Sequence, residues 1–127
     1  GQIKDGVVVL LGVKRGASYK EAEYLAQKIS NLRIFNDKQN KMNLSLGDIS
    51  GSVLVISQFT LCADTRKGRR PSFVNAESPE LSKKLYNKFI SCLEDKGLEV
   101  QSGEFGSNMD VELVNNGPVT FVLDSED

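Results

Sequence analysis

Apolar residues along this chain fall into strand-like runs separated by two stretches with helical spacing. The runs 7–13 and 51–56 are rich in β-branched residues and almost continuously apolar, which is typical of strands buried on both faces of a sheet. The second run continues into a more polar end, and we predict a strand over 52–61. Alternating patterns near the end of the chain predict three more strands, over 98–102, 110–115 and 119–124.

Two helices are predicted from start signals followed by apolar positions at helical spacing. Ser18 and Glu21 form a capping-box pattern before an amphipathic stretch, so we predict a helix over 19–32. Ser78 followed by Pro79 is a second start signal, for a helix that runs up to Gly97. Polar, turn-rich residues 37–43 indicate a hairpin. The predicted order, β-α-β-α-β-β-β, indicates a single α/β domain over residues 1–127, with two helices packed on a mixed sheet.

Length and composition limit the classes of protein that fit. A chain of 127 residues, 39% apolar and 26% charged, matches one ordinary globular domain. No apolar run approaches the roughly 20 residues needed to span a bilayer, and no secretion leader is visible. We therefore expect no membrane role and a cytoplasmic location.

The sequence contains no histidine, which removes several kinds of chemistry. Ser-His-Asp and Cys-His catalysis and histidine-ligated metal sites are excluded. Cys62 and Cys92 are too few for a disulfide framework or a structural zinc site, and we expect both to be reduced. Cys62 could be a nucleophile, although a neutral, buried thiol is the favoured interpretation. We expect no metal and no cofactor, and a hydrolase built this way would depend on backbone groups, a carboxylate or a base from its substrate.

Two short segments concentrate hydroxyl and amide side chains at the ends of strand-like runs. The signature segment is Ser57-Gln58-Phe59-Thr60-Leu61, and the amide turn is Asn115-Asn116-Gly117-Pro118-Val119-Thr120. A strand end beside a loop is a rigid place from which to aim a hydroxyl or a backbone amide at a ligand. Taken singly, each segment also has a plainer interpretation, as a local backbone contact or as a common turn.

A cluster of basic residues follows the signature segment, although the net charge of the chain is −1. Such a run is often only a solvated loop. Beside a strand end that binds a ligand, however, it is well placed to hold the phosphates of a nucleic acid, a contact that positions the nucleic acid without reading its sequence. The residues concerned are Arg66, Lys67, Arg69 and Arg70.

Together the signature segment and the amide turn resemble the signature pair of the D-aminoacyl-tRNA deacylase family. The stretch 42–73 and the run Gly103-Glu104-Phe105-Gly106 with Met109 are also similar to that family, so the likeness extends in order over essentially the whole chain. The resemblance implies a deacylase-like fold with both helices on one side of the sheet. Family members begin with a further hairpin of roughly twenty residues, so the resemblance implies that this sequence lacks the hairpin and enters at the third strand.

The resemblance also implies a reaction, hydrolysis of the ester that joins a D-amino acid to the terminal ribose of tRNA. Ser57, Gln58, Phe59 and Thr60 would form the catalytic pocket, with the backbone amides near Phe59 and Thr60 as oxyanion donors. The neighbouring 2′-hydroxyl of the substrate would assist. A nucleophilic role for Thr60 ranks below a positioning role, because no residue is visibly placed to deprotonate its hydroxyl.

The remaining roles come from the same resemblance. Gly117 and Pro118, joined by a cis peptide bond, would exclude L-amino acids while admitting D-amino acids and glycine. In the family this turn enters the pocket of a second subunit, which implies a homodimer. Phe105, Gly106 and Met109 would lie near the terminal adenosine, although Phe105 and Met109 could equally be ordinary packing residues.

Two rival functions stay open on the sequence. The first is a related editor, with the turn relaxed to the trans form, that removes small L-amino acids from mischarged tRNA. The second is a nucleic-acid-binding protein without enzymatic activity, since some relatives of the family associate with DNA. The intact signature segment and amide turn favour the D-specific deacylase over both.

Overall fold

A computed structural model describes residues 1–117 and 119–127 of the chain. None of the helices in those residues is long and apolar enough to cross a membrane. In chain order the described elements are β1 (Gly6–Leu11), α1 (Tyr19–Asn31), β2 (Phe35–Asn36), β3 (Met42–Leu44), β4 (Ser52–Ser57), a 3₁₀ helix (Phe59–Cys62), α2 (Pro79–Asp95) and β5 (Glu99–Ser102).

The main sheet has three parallel strands in the order β1-β4-β5. The register pairs Leu11 with Ser57 between β1 and β4, and Val55 with Ser102 between β4 and β5. Because all three strands run in the same direction, their carboxyl ends meet at one edge of the sheet. Ligands of open α/β sheets bind at that edge. The topology therefore brings the signature segment, which begins at the last residue of β4, to a place suited to ligand binding.

Both helices pack on the same face of this sheet. Val53 and Val55 point to one side of β4, since side chains alternate along a strand, and both are fully buried. The buried cluster around them includes Ala26 from α1 together with Phe89 and Leu93 from α2. The predicted α/β architecture, with two helices on one side of a sheet, is therefore confirmed.

The helix start signals work as the sequence predicts. The backbone N–H of Ser18 donates to Glu21 Oε2 at 2.8 Å, and the N–H of Leu81 donates to Ser78 Oγ at 3.4 Å. These contacts satisfy amides that have no acceptor inside a helix. The ends are slightly shorter than predicted, at Asn31 and at Asp95.

The polar stretch 37–43 is the predicted hairpin, and it adds two strands to the order. β2 and β3 pair antiparallel across it. Asp37 Oδ1 accepts from the N–H groups of Gln39 and Lys41 at 2.8 and 3.0 Å, and Asn40 adopts a φ of 60°. The described order is thus β-α-β-β-β-α-β, where the sequence predicted β-α-β-α-β-β-β.

The strand predicted over 52–61 is too long. β4 ends at Ser57, and the chain then turns into the 3₁₀ helix. The N–H of Gln58 makes the last contact towards β1, to the Leu11 carbonyl at 2.8 Å, and the N–H of Leu61 donates back to the Gln58 carbonyl at 3.2 Å. The apolar side chains of Phe59 and Leu61 extended the strand pattern past the point where the backbone leaves the sheet.

The strands predicted over 110–115 and 119–124 are wrong for the described residues, which contain no strand after Ser102. The apolar alternation there is real, but Val114 and Val122 are 92% and 93% exposed. A strand needs a neighbouring backbone to complete its ladder of hydrogen bonds. No described strand lies beside these runs, so the alternation alone does not produce one.

Candidate active site

The signature segment forms a tight turn at the carboxyl edge of the sheet. Ser57 is the last residue of β4, and the 3₁₀ helix begins at Phe59. The amides of Phe59 and Thr60 precede the first hydrogen bond of this turn, which Leu61 donates to Gln58. Amides at the start of a helical turn have no acceptor inside it, so these two need an acceptor from outside the turn, such as water or a ligand oxygen.

The side chains of this turn contact one another. The amide nitrogen Nε2 of Gln58 donates a hydrogen bond to Thr60 Oγ1. A hydrogen-bond donor cannot remove a proton, so Gln58 orients the Thr60 hydroxyl and does not activate it. Among the sequence-predicted catalytic residues, the structure thus brings Ser57, Gln58, Phe59 and Thr60 together on one strand end and the turn that follows it.

A glycine that the sequence did not single out lies directly beneath this turn. A Cβ added to Gly12 would lie 3.0 Å from Leu61 Cβ and 3.1 Å from the Gln58 carbonyl oxygen. It would also lie 3.3 Å from Cys62 Sγ. Only glycine allows the 3₁₀ helix to approach the end of β1 this closely. In the sequence, the only signal was a glycine that closes an apolar strand.

Residues after β5 reach the same edge of the sheet. The Tyr86 hydroxyl lies 3.1 Å from the Val55 carbonyl oxygen and 3.4 Å from that of Gly103, so its one proton is shared between β4 and the loop after β5. The Tyr86 ring also contacts Phe105, with 5.5 Å between ring centroids. Tyr86 lies three residues before the buried Phe89, a helical spacing that places both on the same face of α2.

Met109 folds back over the start of this loop. A Cβ added to Gly103 would lie 2.9 Å from both Sδ and Cε of Met109. Phe105 is half-buried against the core, while Gly106 and Met109 are exposed. Phe105 therefore contributes to packing, as one of the two interpretations held, and its role towards an adenosine stays a prediction.

The basic residues lie on a closed loop. Asp64 and Ser72 pair through two backbone hydrogen bonds of 2.7 and 2.8 Å, which brings the two ends of the loop 64–72 together. Arg66 is engaged within the loop, since its Nε and Nη2 donate to the two oxygens of Asp64 at 2.9 and 2.8 Å. This bidentate contact lowers the pKa of Asp64 to about 2. Three other cations of the basic loop are exposed, namely Lys67, Arg69 and Arg70.

The amide turn is held by the side chain at its start. Asn115 Oδ1 accepts from the N–H of Val119 at 3.2 Å, and Asn115 Nδ2 donates to Thr120 Oγ1 at 3.0 Å. Gly117 is exposed. Pro118, the other half of the predicted chiral gate, lies outside the described residues.

Cys62 ends the 3₁₀ helix as a buried thiol. Burial raises its pKa above the usual value, so the thiol is neutral at physiological pH. A neutral thiol is a poor nucleophile, and this disfavours the idea that Cys62 attacks a substrate. Both cysteines are free, as the sequence predicts.

Phe59, Thr60 and Leu61 are exposed to solvent at the edge of the sheet. A shallow depression lies elsewhere, on the surface of α1, between Tyr24, Lys28 and Leu32. In the part of the chain that the structure describes, no three acidic or cysteine side chains come close enough to hold a metal ion. The chemistry available at the edge therefore consists of backbone amides, hydroxyls, one carboxamide and nearby cations.

Comparison with known families agrees with this geometry. The family model described as D-Tyr-tRNA(Tyr) deacylase matches residues 1–124 of the chain. The chain belongs to this family. Among curated members, a D-aminoacyl-tRNA deacylase of Thermosipho africanus is 52% identical over 99% of this chain and 85% of its own length. One from Dehalococcoides mccartyi is 54% identical over the whole chain and 83% of its own length.

Not every relative of the deacylase family carries the same name. A protein of Bacillus subtilis named an inactive D-aminoacyl-tRNA deacylase is 51% identical over 99% of this chain and 96% of its own length. A solved structure titled "c-Myc DNA Unwinding Element Binding Protein" superposes with a TM-score of 0.88 at 37% identity, and covers 96% of this chain and 83% of that one. Membership of the family therefore includes proteins named for binding as well as for hydrolysis.

A more distant structure supports the fold alone. A protein titled as a probable eukaryotic D-amino acid tRNA deacylase superposes with a TM-score of 0.66 at 16% identity, over 80% of this chain and 74% of its own length. The deacylase fold is thus shared even where little of the sequence is.

Proposed function

We propose that this chain hydrolyses the ester bond of D-aminoacyl-tRNA and releases the free D-amino acid and the tRNA. The observation that carries the proposal is the turn after β4, where the amides of Phe59 and Thr60 precede the first internal hydrogen bond at the carboxyl edge of a parallel sheet. A pair of oriented backbone amides is what an oxyanion hole requires. Family membership and the names of the curated relatives support the same reaction.

The reaction needs little help from a protein base. Water attacks the carbonyl carbon of the ester, the bond from that carbon to the ribose oxygen breaks, and the departing oxygen takes up a proton. The amides of Phe59 and Thr60 would stabilise the negative charge on the carbonyl oxygen in the transition state. The neighbouring 2′-hydroxyl of the terminal ribose would assist the attack, which suits a chain without histidine.

Thr60 acts in this proposal as a positioning residue. Its hydroxyl accepts a hydrogen bond from Gln58, and no base lies among its described contacts. We expect Thr60→Ala to retain most of the single-turnover rate on D-tyrosyl-tRNA, whereas a covalent mechanism would lose it almost entirely. Thr60→Ser is the matched control, because it keeps a hydroxyl and should behave like the unmodified protein under either mechanism.

Three exposed cations would hold the acceptor end of the tRNA. Lys67, Arg69 and Arg70 lie exposed on the basic loop, which begins two residues after the 3₁₀ helix. Arg66 is already paired with Asp64, so it would contribute less to phosphate binding than the other three. Loss of one phosphate contact weakens tRNA binding and reduces the salt dependence of that binding. Arg69→Gln should therefore show both effects. Arg66→Gln should show smaller changes in affinity and in salt dependence.

The chiral gate requires a second copy of the chain. In the proposed homodimer, Gly117 and Pro118 of one copy enter the open sheet edge of the other and occupy the space that an L side chain would need. The open edge and the exposed Gly117 support this arrangement. The gate works by exclusion, so glycyl-tRNA should also be hydrolysed. The chain would act in the cytoplasm, where aminoacyl-tRNA is used.

The test is a time course of ester loss from D-tyrosyl-tRNA, L-tyrosyl-tRNA and glycyl-tRNA with catalytic amounts of the protein. We expect rapid loss of the D ester and of the glycyl ester, and no loss of the L ester. Loss of the L ester would favour the rival editor of L-aminoacyl-tRNA. Resistance of glycyl-tRNA would contradict a gate that works by exclusion.

A second function is favoured by the relatives named for inactivity and for DNA binding. In that case the protein binds nucleic acid without turnover. Loss of none of the three esters from a folded protein, together with tRNA binding that Thr60→Ala and Pro118→Ala leave unchanged, would support binding alone over hydrolysis.

A further inference from the structure

Two phenylalanine rings lie together on the surface beside the basic loop. Phe59, in the 3₁₀ helix, is 56% exposed and Phe73 is 38% exposed. Their ring centroids are 5.0 Å apart and the rings are tilted by 59°. Leu61 and Val74 next to them are also exposed. A cluster of exposed apolar side chains often marks a binding surface for a ligand or a partner, since exposing it to water is unfavourable.

Basic residues lie on the chain segments next to Phe73. Phe73 directly follows Ser72, whose backbone pairing with Asp64 closes the basic loop. The loop carries four cations and one carboxylate, and that carboxylate is already paired with Arg66. Arg15 Nε donates to the Val74 carbonyl oxygen at 3.1 Å, which brings a further cation to the residue after Phe73, and the Glu77 carboxylate lies near that cation.

We infer that the Phe59–Phe73 pair is a stacking platform for an unpaired base near the 3′ end of tRNA, with the phosphates of the same strand bound by the basic loop. Exposed aromatic rings beside a cationic groove are how proteins bind single-stranded nucleic acid, because every base has a face that can stack. The inference rests on the proposed function and extends it. The base concerned is separate from the terminal adenosine, for which Phe105, Gly106 and Met109 are the predicted contacts.

The charges favour a nucleic acid over contact of this patch with its own equivalent on a second copy of the chain. If the patch met its own equivalent across a two-fold axis, the two basic loops would approach each other with like charge, which is unfavourable. A polyanionic strand, by contrast, neutralises the cations while its bases cover the rings. Phe59 would then serve the site twice, with its backbone amide towards the ester and its ring towards the strand.

The experiment uses RNA that carries no amino acid, so that the result does not depend on hydrolysis. The probe is a short single-stranded RNA with the sequence of the acceptor end, carrying 2-aminopurine at one position at a time. Stacking on an aromatic ring changes the fluorescence of 2-aminopurine. We expect the full-length protein to change this signal at one position upstream of the terminal adenosine, and Phe73→Leu to abolish the change.

Affinity gives a second readout. Loss of one stacked base should weaken binding by about 5- to 150-fold in Phe73→Leu. The variant and the unmodified protein should bind equally well to an RNA that lacks the base at that position. Phe73→Trp keeps a ring and should restore both signals. Tyr24→Leu removes an exposed aromatic residue from α1 and serves as the matched control, without effect on either signal.

Two results would overturn the inference. The first is an unchanged fluorescence signal and affinity in a folded Phe73→Leu protein that still hydrolyses D-tyrosyl-tRNA, which would leave the proposed function intact. The second is a change in oligomeric state on sedimentation of Phe73→Leu with the 2-aminopurine signal preserved, which would show that a second copy covers the patch. Failure of hydrolysis with normal stacking would instead contradict the proposed function alone.

Discussion

Strand β4 and the end of the chain are both predicted to be strands but have different structures. The apolar run of β4 lies between β1 and β5, which complete its hydrogen bonds on both sides. Residues 110–115 and 119–124 show apolar alternation, yet they form no strand among the described residues and leave Val114 and Val122 exposed. Apolar alternation specifies which face of a strand would be buried. Whether the strand forms depends on a neighbouring backbone and on a surface to cover that face.

The largest expected effect comes from matched substitutions of phenylalanine in the two regions. Phe89 on α2 is fully buried against β4, whereas Phe121 near the end of the chain is about half exposed. Phe89→Ala should lower the free energy of unfolding by about 3–5 kcal/mol through lost burial and the cavity that remains. Phe121→Ala should change it by less than about 0.5 kcal/mol. Urea unfolding of both variants measures the difference.

The same two variants can also show that the end of the chain is not exposed in solution. If Phe121→Ala were as destabilising as Phe89→Ala, the end of the chain would be covered in solution. Unfolding midpoints that rise with protein concentration would then identify the cover as a second copy, since association stabilises only the folded state.

A smaller effect, on activity, is expected from a substitution beneath the 3₁₀ helix at the edge of the sheet. Gly12→Ala would place a Cβ within 3.0–3.3 Å of Leu61, Gln58 and Cys62, so the 3₁₀ helix must shift by a few tenths of an ångström. In the proposed mechanism the amides of Phe59 and Thr60 act on the transition state, so displacing them by that much should lower kcat about tenfold, with little change in KM. Steady-state kinetics on D-tyrosyl-tRNA measure both parameters.

Gly47→Ala is the control for this substitution. A Cβ at Gly47 would meet only Ser45 Oγ, at 3.9 Å, and the backbone there is not left-handed. The activity of Gly47→Ala should therefore match that of the unmodified protein. Equal kcat values for Gly12→Ala and Gly47→Ala, or a rise in KM alone for Gly12→Ala, would mean that the turn does not depend on the close approach at Gly12.

Sequence patterns predicted the parts of the fold that depend on local contacts. The caps at Ser18 and Ser78 act within three residues, and the apolar stripe that includes Phe89 needs only helical spacing. The apolar run 51–56 placed the signature segment correctly at a strand end. The patterns failed where the answer depends on distant backbone. The end of β4, the approach of Gly12 and the hydroxyl contact of Tyr86 all arise from neighbours far along the chain.

Tyr86→Phe tests how the two halves of the site are joined. The hydroxyl is shared between the carbonyl oxygens of Val55 and Gly103, and it links β4 to the loop that carries Phe105. Its removal should cost about 1 kcal/mol of stability, the typical value of one hydrogen bond. Hydrogen exchange of the amides in residues 103–106 should become faster, while those of β1 stay unchanged. Equal acceleration in both places would instead indicate general destabilisation.

The smallest effect concerns an ion pair between the end of the chain and the segment after β1. Lys14 Nζ lies 2.7 Å from Asp124 Oδ2, and both side chains are substantially exposed. Such a pair contributes no more than about 1 kcal/mol at low salt. Asp124→Asn should therefore leave global unfolding nearly unchanged and yet increase cleavage of the C-terminal residues by carboxypeptidase. High salt should reproduce this effect in the unmodified protein, because it screens exposed charges.

The pH dependence of that contact has a definite sign. The hydrogen bond from Lys14 lowers the pKa of Asp124 below its usual value of 3.8, so the stabilisation is fully present above that pH and is lost as the pH falls through the lowered pKa. The same contact raises the pKa of Lys14 above 10.5, so the stabilisation survives up to that pH and is lost as the pH rises through the raised value. Hydrogen exchange of residues 124–127 at acidic pH, compared between the unmodified protein and Asp124→Asn, measures the acid limb. If the two proteins lost protection in parallel as the pH fell, something other than Lys14 would hold the end of the chain in place.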